Sequence, residues 1–386
     1  MKLQFKSLGK PESISEKDWF NWMWQVRNIQ NFGNKKSNFS SGATPYYLKL
    51  ATKAPILKPI VEISQKEFYV GRQSLKDPLG EEKHSPFSKL IHRYPDRVLF
   101  LVTDQCAVYC RYCTRKRFTG KKKGLSSKAE QAEILSYIKK NKGIREVILS
   151  GGDPLTLSDS ILDNILKKLR EISHVEIIRI ASRMPVVCPM RLTDSLCHVL
   201  KKYQPVFLMT HFNHPLELTK EVQESLTRMA DSGILLFNQT VLLNQINNNP
   251  SIIQALMRRL LYLRVKPYYM FQCDPSEGTD HFRTSIEDSL SIQKELWGRL
   301  SGLALPNLSL DIPGGGGKVG LVPDFALQKE KEQWHFKGWD FVEGSYKNPV
   351  RNHLKIATAN ETYQKEWELL TNQTYGKKNS QTKKFN

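Results

Sequence analysis

The sequence predicts an α/β fold: an incomplete (βα)6 barrel of the TIM type, with a helical N-terminal extension and a small C-terminal region. Two observations carry this. From about residue 96, apolar strand-like runs alternate with helix-like stretches at roughly thirty-residue spacing, the rhythm of βα units and a parallel sheet. The residues suited to chemistry also fall at the C-terminal ends of those runs, where a barrel keeps its working loops.

Residues 1–95 precede the barrel. Ser15-Glu-Lys-Asp18 resembles a capping box, and Trp19, Trp22, Met23 and Val26 follow at helical spacing. One amphipathic helix is expected there, with its tryptophans packed into the core and not used for base stacking. Residues 43–48 and Asp77-Pro-Leu-Gly80 read as turn-rich connections. The barrel occupies 96–310, with strands expected at 98–102, 146–150, 176–181, 206–210, 235–242 and 267–272. Helices are expected at 158–170, 194–203, 220–232 and 251–264. A further strand-like run, 308–311, leads into a glycine-rich loop, and 311–375 form the C-terminal region. Residues 376–386 read as a basic, disordered tail.

The 386 residues suffice for one barrel-sized domain with attached pieces. The N-terminus has no apolar signal-peptide core, and no apolar run approaches the ~20 residues of a membrane helix. Six cysteines, three of them clustered, are not a disulfide framework, so a reducing, cytoplasmic setting is expected. The net charge of +20 is partly local, in Arg115-Lys-Arg117, Lys121-Lys-Lys123 and the tail. An acidic partner or nucleic acid is compatible with it, but a solvated surface plus a disordered tail accounts for it as well.

Chemistry concentrates in three places. Cys106, Cys110 and Cys113 form a C-x3-C-x2-C loop leaving the first barrel strand. Soft thiolates at this spacing suit zinc or iron–sulfur. A structural zinc site wants four ligands and no fourth is near, whereas three thiolates can hold three irons of a 4Fe–4S cluster and leave one iron open. Ser150-Gly-Gly-Asp153 closes the next strand, where glycines permit close backbone approach and a carboxylate can receive an amino group, although a tight turn explains them equally. Pro313-Gly-Gly-Gly-Gly-Lys318 fails the phosphate-loop pattern, because Val319 follows the lysine. It reads either as a flexible loop delivering one lysine, able to form a Schiff base with an aldehyde cofactor, or as a solvent-exposed glycine turn.

Together these motifs resemble the radical S-adenosylmethionine (SAM) superfamily and, within it, the lysine 2,3-aminomutase family. The similarity runs from Trp19 to Pro323. It includes His92-Arg-Tyr-Pro-Asp-Arg97, the cysteine loop, Ser150-Gly-Gly-Asp153, Thr210-His-Phe-Asn-His-Pro215 and Asn238-Gln239. It continues through Gln272-Cys-Asp274, His281-Phe-Arg283 and Asp311-Ile-Pro-Gly-Gly-Gly-Gly-Lys318.

The resemblance implies that Cys106, Cys110 and Cys113 hold the cluster and that SAM chelates its open iron. Ser150, Gly151, Gly152 and Asp153 would receive the SAM amino group, and His211 and Gln239 would line the same site. Lys318 would carry pyridoxal 5′-phosphate (PLP), with Arg93, Tyr94 and Arg97 around its phosphate. Arg115 would grip the carboxylate of an amino-acid substrate, and Asp274 with Asp311 the side-chain ammonium of lysine. The activity implied is interconversion of L-lysine and β-lysine by radical migration of the amino group. A flavodoxin or ferredoxin would be the electron donor, and elongation factor P modification is one destination for the product. Rival readings are a sister aminomutase acting on glutamate or arginine, a nucleic-acid-modifying radical SAM enzyme, and a non-catalytic metal-bound RNA-binding protein. The family's cysteine-rich C-terminal zinc site has no counterpart, since no cysteine follows Cys273, so no such site is expected. A homo-oligomer through the N-terminal helices stays compatible with the sequence.

Overall fold

Seven parallel strands wrap around a polar interior, and the reason lies in their period-two alternation. In the strand Ile177–Ala181, Ile178 and Ile180 are fully buried, whereas Arg179 and Ala181 point into the barrel. The same alternation puts Ile148, Met209, Gln239, Tyr269, Phe271 and Asp311 on the inner wall. The computed structural model describes residues 4–32, 37, 39–69, 71, 74–121, 124–330 and 333–347. One compact unit runs to Asp324 and a second begins at Phe325.

The strands of the first unit are β1 (Leu90–Tyr94), β2 (Arg97–Thr103), β3 (Glu146–Gly151), β4 (Ile177–Ala181), β5 (Val206–Thr210), β6 (Leu235–Val241), β7 (Val265–Phe271), β8 (Asn307–Ile312) and β9 (Gly317–Gly320). They form one sheet in sequence order, parallel from β2 to β8 and antiparallel at both edges. The sheet therefore reaches back to Leu90 and on to Gly320, beyond the 96–310 span expected for the barrel. Its edges approach each other through side chains. Arg93 Nε donates to the Gly315 carbonyl at 2.9 Å, and the Lys318 backbone N–H donates to the Tyr94 hydroxyl at 3.0 Å.

The helices are α1 (Glu16–Trp19), α2 (Trp22–Arg27), α3 (Pro45–Lys53), α4 (Lys128–Lys140), α5 (Asp159–Arg170), α6 (Met184–Val187), α7 (Asp194–Lys202), α8 (Lys220–Asp231), α9 (Pro250–Tyr262) and α10 (Ile286–Leu296). The expected helices at 158–170, 194–203, 220–232 and 251–264 correspond to α5, α7, α8 and α9; α4 and α10 are additional. Each barrel helix lays an apolar stripe on the sheet. In α5, Leu162, Ile165, Leu166 and Leu169 are buried, each contributing about 1.5–3 kcal/mol of transfer free energy. Ser158 starts α5 by accepting the Ile161 N–H.

The single N-terminal helix expected from Trp19 to Val26 is two short helices. The Asn21 side chain accepts the Met23 and Trp24 N–H groups, capping a new helix and breaking the old one. Trp19 is fully buried, but Met23 is 44% exposed and contributes nothing to the core. In the second unit β10 (Ala326–Lys329), β11 (Gln333–Lys337) and β12 (Glu343–Lys347) form an antiparallel sheet. The expected basic tail, 376–386, lies outside the described residues. No described helix is long and apolar enough to cross a membrane.

Candidate active site

The cysteine loop leaves the C-terminal end of β2 and is held by the N-terminal extension. Tyr109 N–H donates to Gly42 O at 2.9 Å, Thr44 N–H to Ala107 O at 3.2 Å and Arg111 N–H to Ile60 O at 2.9 Å. Arg111 is fully buried and makes a forked bond to Glu67, with a third bond to Ser40 O at 3.0 Å. A loop carrying three thiols is thereby fixed without regular structure.

Cys106, Cys110 and Cys113 all line one cavity of about 340 Å³. Burial, then repulsion from Cys113, pushes the Cys106 thiol well up; burial, then Cys110, raises Cys113. Such neighbours ionise together only with positive charge between them. Donors already point at the sulfurs: Arg183 Nη1 lies 2.7 Å from Cys110 Sγ, and the Arg115 N–H 3.3 Å from Cys113 Sγ. This donor set fits an iron–sulfur cluster. Among the described residues no three His, Cys, Asp or Glu side chains converge on a single-ion site, and thiolates bound to separate irons need no such convergence.

Ser150, Gly151, Gly152 and Asp153 line the same cavity. The glycines serve the chain's own packing: a Cβ on Gly151 or Gly152 would collide with the carbonyl oxygens of Thr103 and Gln105 at the root of the cysteine loop. Asp153, expected to receive an amino group, is bonded here within the chain. Its Oδ1 accepts from Ser182 Oγ (2.7 Å) and Leu155 N–H (3.0 Å), its Oδ2 from Arg183 N–H (2.7 Å) and Met184 N–H (3.1 Å). A carboxylate offers about four lone-pair sites, and all are taken. Asp153 ties the ends of β3 and β4 together, and residues 150–152 line the cavity beside it.

A second cavity, of about 560 Å³, adjoins the first; Arg115, Ser150, Gln239, Phe271, Asp311 and Lys318 line both. Arg93, Tyr94, Arg97 and Arg179 line the second. Arg97 is paired with Asp96 at 2.7 Å and stacks 4.0 Å over the Tyr94 ring, and Arg179 pairs with Glu146. Arg179 Nε is buried with no hydrogen-bond partner among the described residues. A cationic cavity with an orphaned donor suits a phosphate, and Lys318 at its wall suits an aldehyde cofactor.

The four-glycine stretch is the turn of the β8–β9 hairpin and not a free loop, so Lys318 sits on a strand opposite Asp311. Its ammonium lies 3.0 and 3.1 Å from the two Asp311 oxygens and 4.2 Å from the centre of the Phe271 ring. Asp274 lines the first cavity near this pair. Burial first, then the Asp311 charge, pushes its carboxyl up to about 7. Arg115 does not form a solvated basic run with its neighbours: Nε and Nη2 pair with the buried Glu81 at 2.8 and 2.7 Å, and Nη1 reaches Ser150 Oγ at 3.3 Å.

His211 Nε2 lies 2.9 Å from the Tyr112 hydroxyl, and the two rings stack at 5.8 Å. Burial, then Arg183, lowers its pKa to about 3, so it is a neutral donor or acceptor at the wall. Every residue given a cofactor or substrate role from the sequence thus lines one of two joined cavities. Sequence reasoning missed Arg183, Arg179, Glu81 and Tyr112; only the alternation along β4 could have pointed Arg179 inward.

A cysteine-bearing βα loop in a partial barrel defines the class. Residues 100–236 match the Radical SAM superfamily. Residues 293–382 match the Lysine-2,3-aminomutase family, reaching into the segment set apart above as a tail. The chain is 42% identical over 363 residues to an L-lysine 2,3-aminomutase of Methanococcus maripaludis, covering 88% of this chain and 84% of that one. It is 41% identical over 371 residues to the L-lysine 2,3-aminomutase of Bacillus subtilis, covering 90% and 78%. It is also 40% identical over 346 residues to a glutamate 2,3-aminomutase of Clostridioides difficile, covering 84% and 82%. The chain belongs to the lysine 2,3-aminomutase family of radical SAM enzymes. It is an aminomutase, an isomerase acting on an amino acid, and membership implies a 4Fe–4S cluster and SAM.

Proposed function

We propose that this aminomutase interconverts L-lysine and β-lysine, with the cluster on Cys106, Cys110 and Cys113, SAM against Ser150–Gly152, His211 and Gln239, and PLP on Lys318. Arg93, Tyr94, Arg97 and Arg179 take the PLP phosphate, as guanidinium forks suit. When bound, these groups supply the radical and imine chemistry that moves an amino group from C2 to C3. The chain's residues position the substrate, complement its charges and keep water out.

The observation that carries lysine over glutamate is a charge balance. At Asp274, burial and the Asp311 charge outweigh the nearby cations Lys318 and Arg283, so an excess of negative charge remains at the pair and is held off by protonation of Asp274 near neutrality. The side-chain ammonium of lysine answers it; the side-chain carboxylate of glutamate adds to it. Like charges in a dry pocket cost several kcal/mol, and about 4 kcal/mol is roughly a thousandfold in affinity. Arg115, oriented by Glu81, takes the α-carboxylate.

The test is an anaerobic assay of reconstituted protein with SAM, PLP, dithionite and either amino acid. Lysine is expected to give β-lysine, with kcat/KM at least ~100-fold above glutamate. Comparable turnover of glutamate would overturn the substrate assignment.

A further inference from the structure

Beside the thiol cavity lies a depression of about 360 Å³ that the proposed chemistry does not use. Phe39 and Thr114 line both, so a single layer of side chains separates them. The depression carries exposed apolar groups, Phe68 (56%) and Leu75 (36%), with Tyr69 (70%) adjoining Phe68. Exposed aromatics grouped around a depression mark a protein-binding face more than a solvated one.

The charge of this face is positive. Lys76, Lys116 and Lys121 line it, and Lys66 is exposed two residues before Phe68. Lys76 and Lys121 are exposed and have no ion-pair partner among the described residues. Of the two glutamates lining it, Glu67 is committed to Arg111, leaving Glu277 against three lysines. Arg117 is already paired with Asp77, Glu81 and Glu82. Lys116 is half-buried, donates to Glu277 O at 2.9 Å, and acts electrostatically on Cys113. It therefore links the basic face to the cysteine loop.

We propose that this depression docks an acidic one-electron carrier protein, which reduces the cluster from this side. The inference rests on the reading that the three cysteines hold the cluster. The carrier would supply one electron to the cluster that Cys106, Cys110 and Cys113 would hold, being itself oxidised by one electron, and no bond in the protein would change. Apolar residues supply the contact, while the lysines steer an acidic surface to within one side-chain layer of the thiols.

The experiment measures the rate of cluster reduction in the reconstituted holoenzyme by two reductants, a reduced flavodoxin of strongly negative net charge and dithionite. Lys76→Glu with Lys121→Glu is expected to slow reduction by flavodoxin at least ~10-fold at low salt and to flatten its dependence on ionic strength. Reduction by dithionite is expected to stay unchanged. Reversing the same number of charges at exposed Lys167 and Lys201, on the outer helices α5 and α7, is expected to leave both rates alone. Equal slowing by either pair, or an unchanged flavodoxin rate in K76E/K121E, would overturn the docking site while leaving the cluster assignment standing. Protein that shows no reducible cluster even with dithionite would overturn the cluster reading, and this proposal with it.

Discussion

Lys318 and Asp311 are cross-strand partners in the β8–β9 hairpin, and the ammonium of one is held by both carboxylate oxygens of the other. The hairpin is held against β1 by Arg93 and Tyr94, so the lysine is delivered by a rigid element and not by a loop that swings. Borohydride reduction of PLP-loaded enzyme is expected to fix one pyridoxyl group on the peptide containing Lys318, and Lys318→Ala to remove it. Mass spectrometry checks this, and a label persisting on another lysine would sink the assignment.

Asp274 sets a pH dependence whose sign follows from its raised pKa. Its carboxyl titrates at about 7 in the folded protein, against about 3.9 in an unfolded chain. Between those values the folded state binds the extra proton, so this group's contribution to stability is full below about 3.9 and is lost progressively as pH rises to about 7. Asp274→Asn is therefore expected to match the ligand-free native protein near pH ~4 and to melt at a higher temperature near pH ~8. Thermal scans at the two pH values check it; a constant difference would refute it. An ammonium bound beside Asp274 favours its ionised form, so lysine KM is expected to fall from pH ~6 to ~8 in the native enzyme and to flatten in the variant.

Arg183 couples the cysteine loop to the barrel through Cys110 on one side and the buried Glu217 on the other, at 2.7 Å in both cases. A cationic donor on a cluster sulfur stabilises the more negative, reduced state. Removing the arginine alone would strand a buried carboxylate at a cost of about 3–5 kcal/mol, so the informative variant is Arg183→Met with Glu217→Gln. Its cluster is expected to assemble with a midpoint potential at least ~60 mV lower, a tenfold shift for one electron. A potentiometric titration followed by electron paramagnetic resonance measures this, and an unchanged potential would show that Arg183 serves packing alone.

Gly152→Ala tests whether β3 must end against the cysteine loop. The new Cβ meets backbone, which cannot swing aside, so overpacking of about 1–3 kcal/mol is expected. The melting temperature should drop and iron retention after reconstitution should fall. Native stability and iron content together would show that the loop yields.

The strand–helix alternation, the cysteine spacing and the lysine after four glycines were legible in the sequence because each is local. A period of two or 3.6 residues is a property of consecutive side chains, and so is the spacing of thiols along one loop. The sequence by itself also indicated which residues carry charge or nucleophiles, and those residues line the two cavities. Tertiary structure decided how they are used. Where the β8–β9 hairpin, and with it Lys318, is held depends on Arg93 and Tyr94, more than 220 residues away along the chain. Asp153 looks like a free carboxylate until Ser182, Arg183 and Met184 arrive from just beyond the next strand to occupy it. Arg183 reads as an ordinary basic residue until folding removes it from water and aims it at Cys110. A buried polar group must find its partner wherever the fold brings one, and that choice is written in no single stretch of sequence.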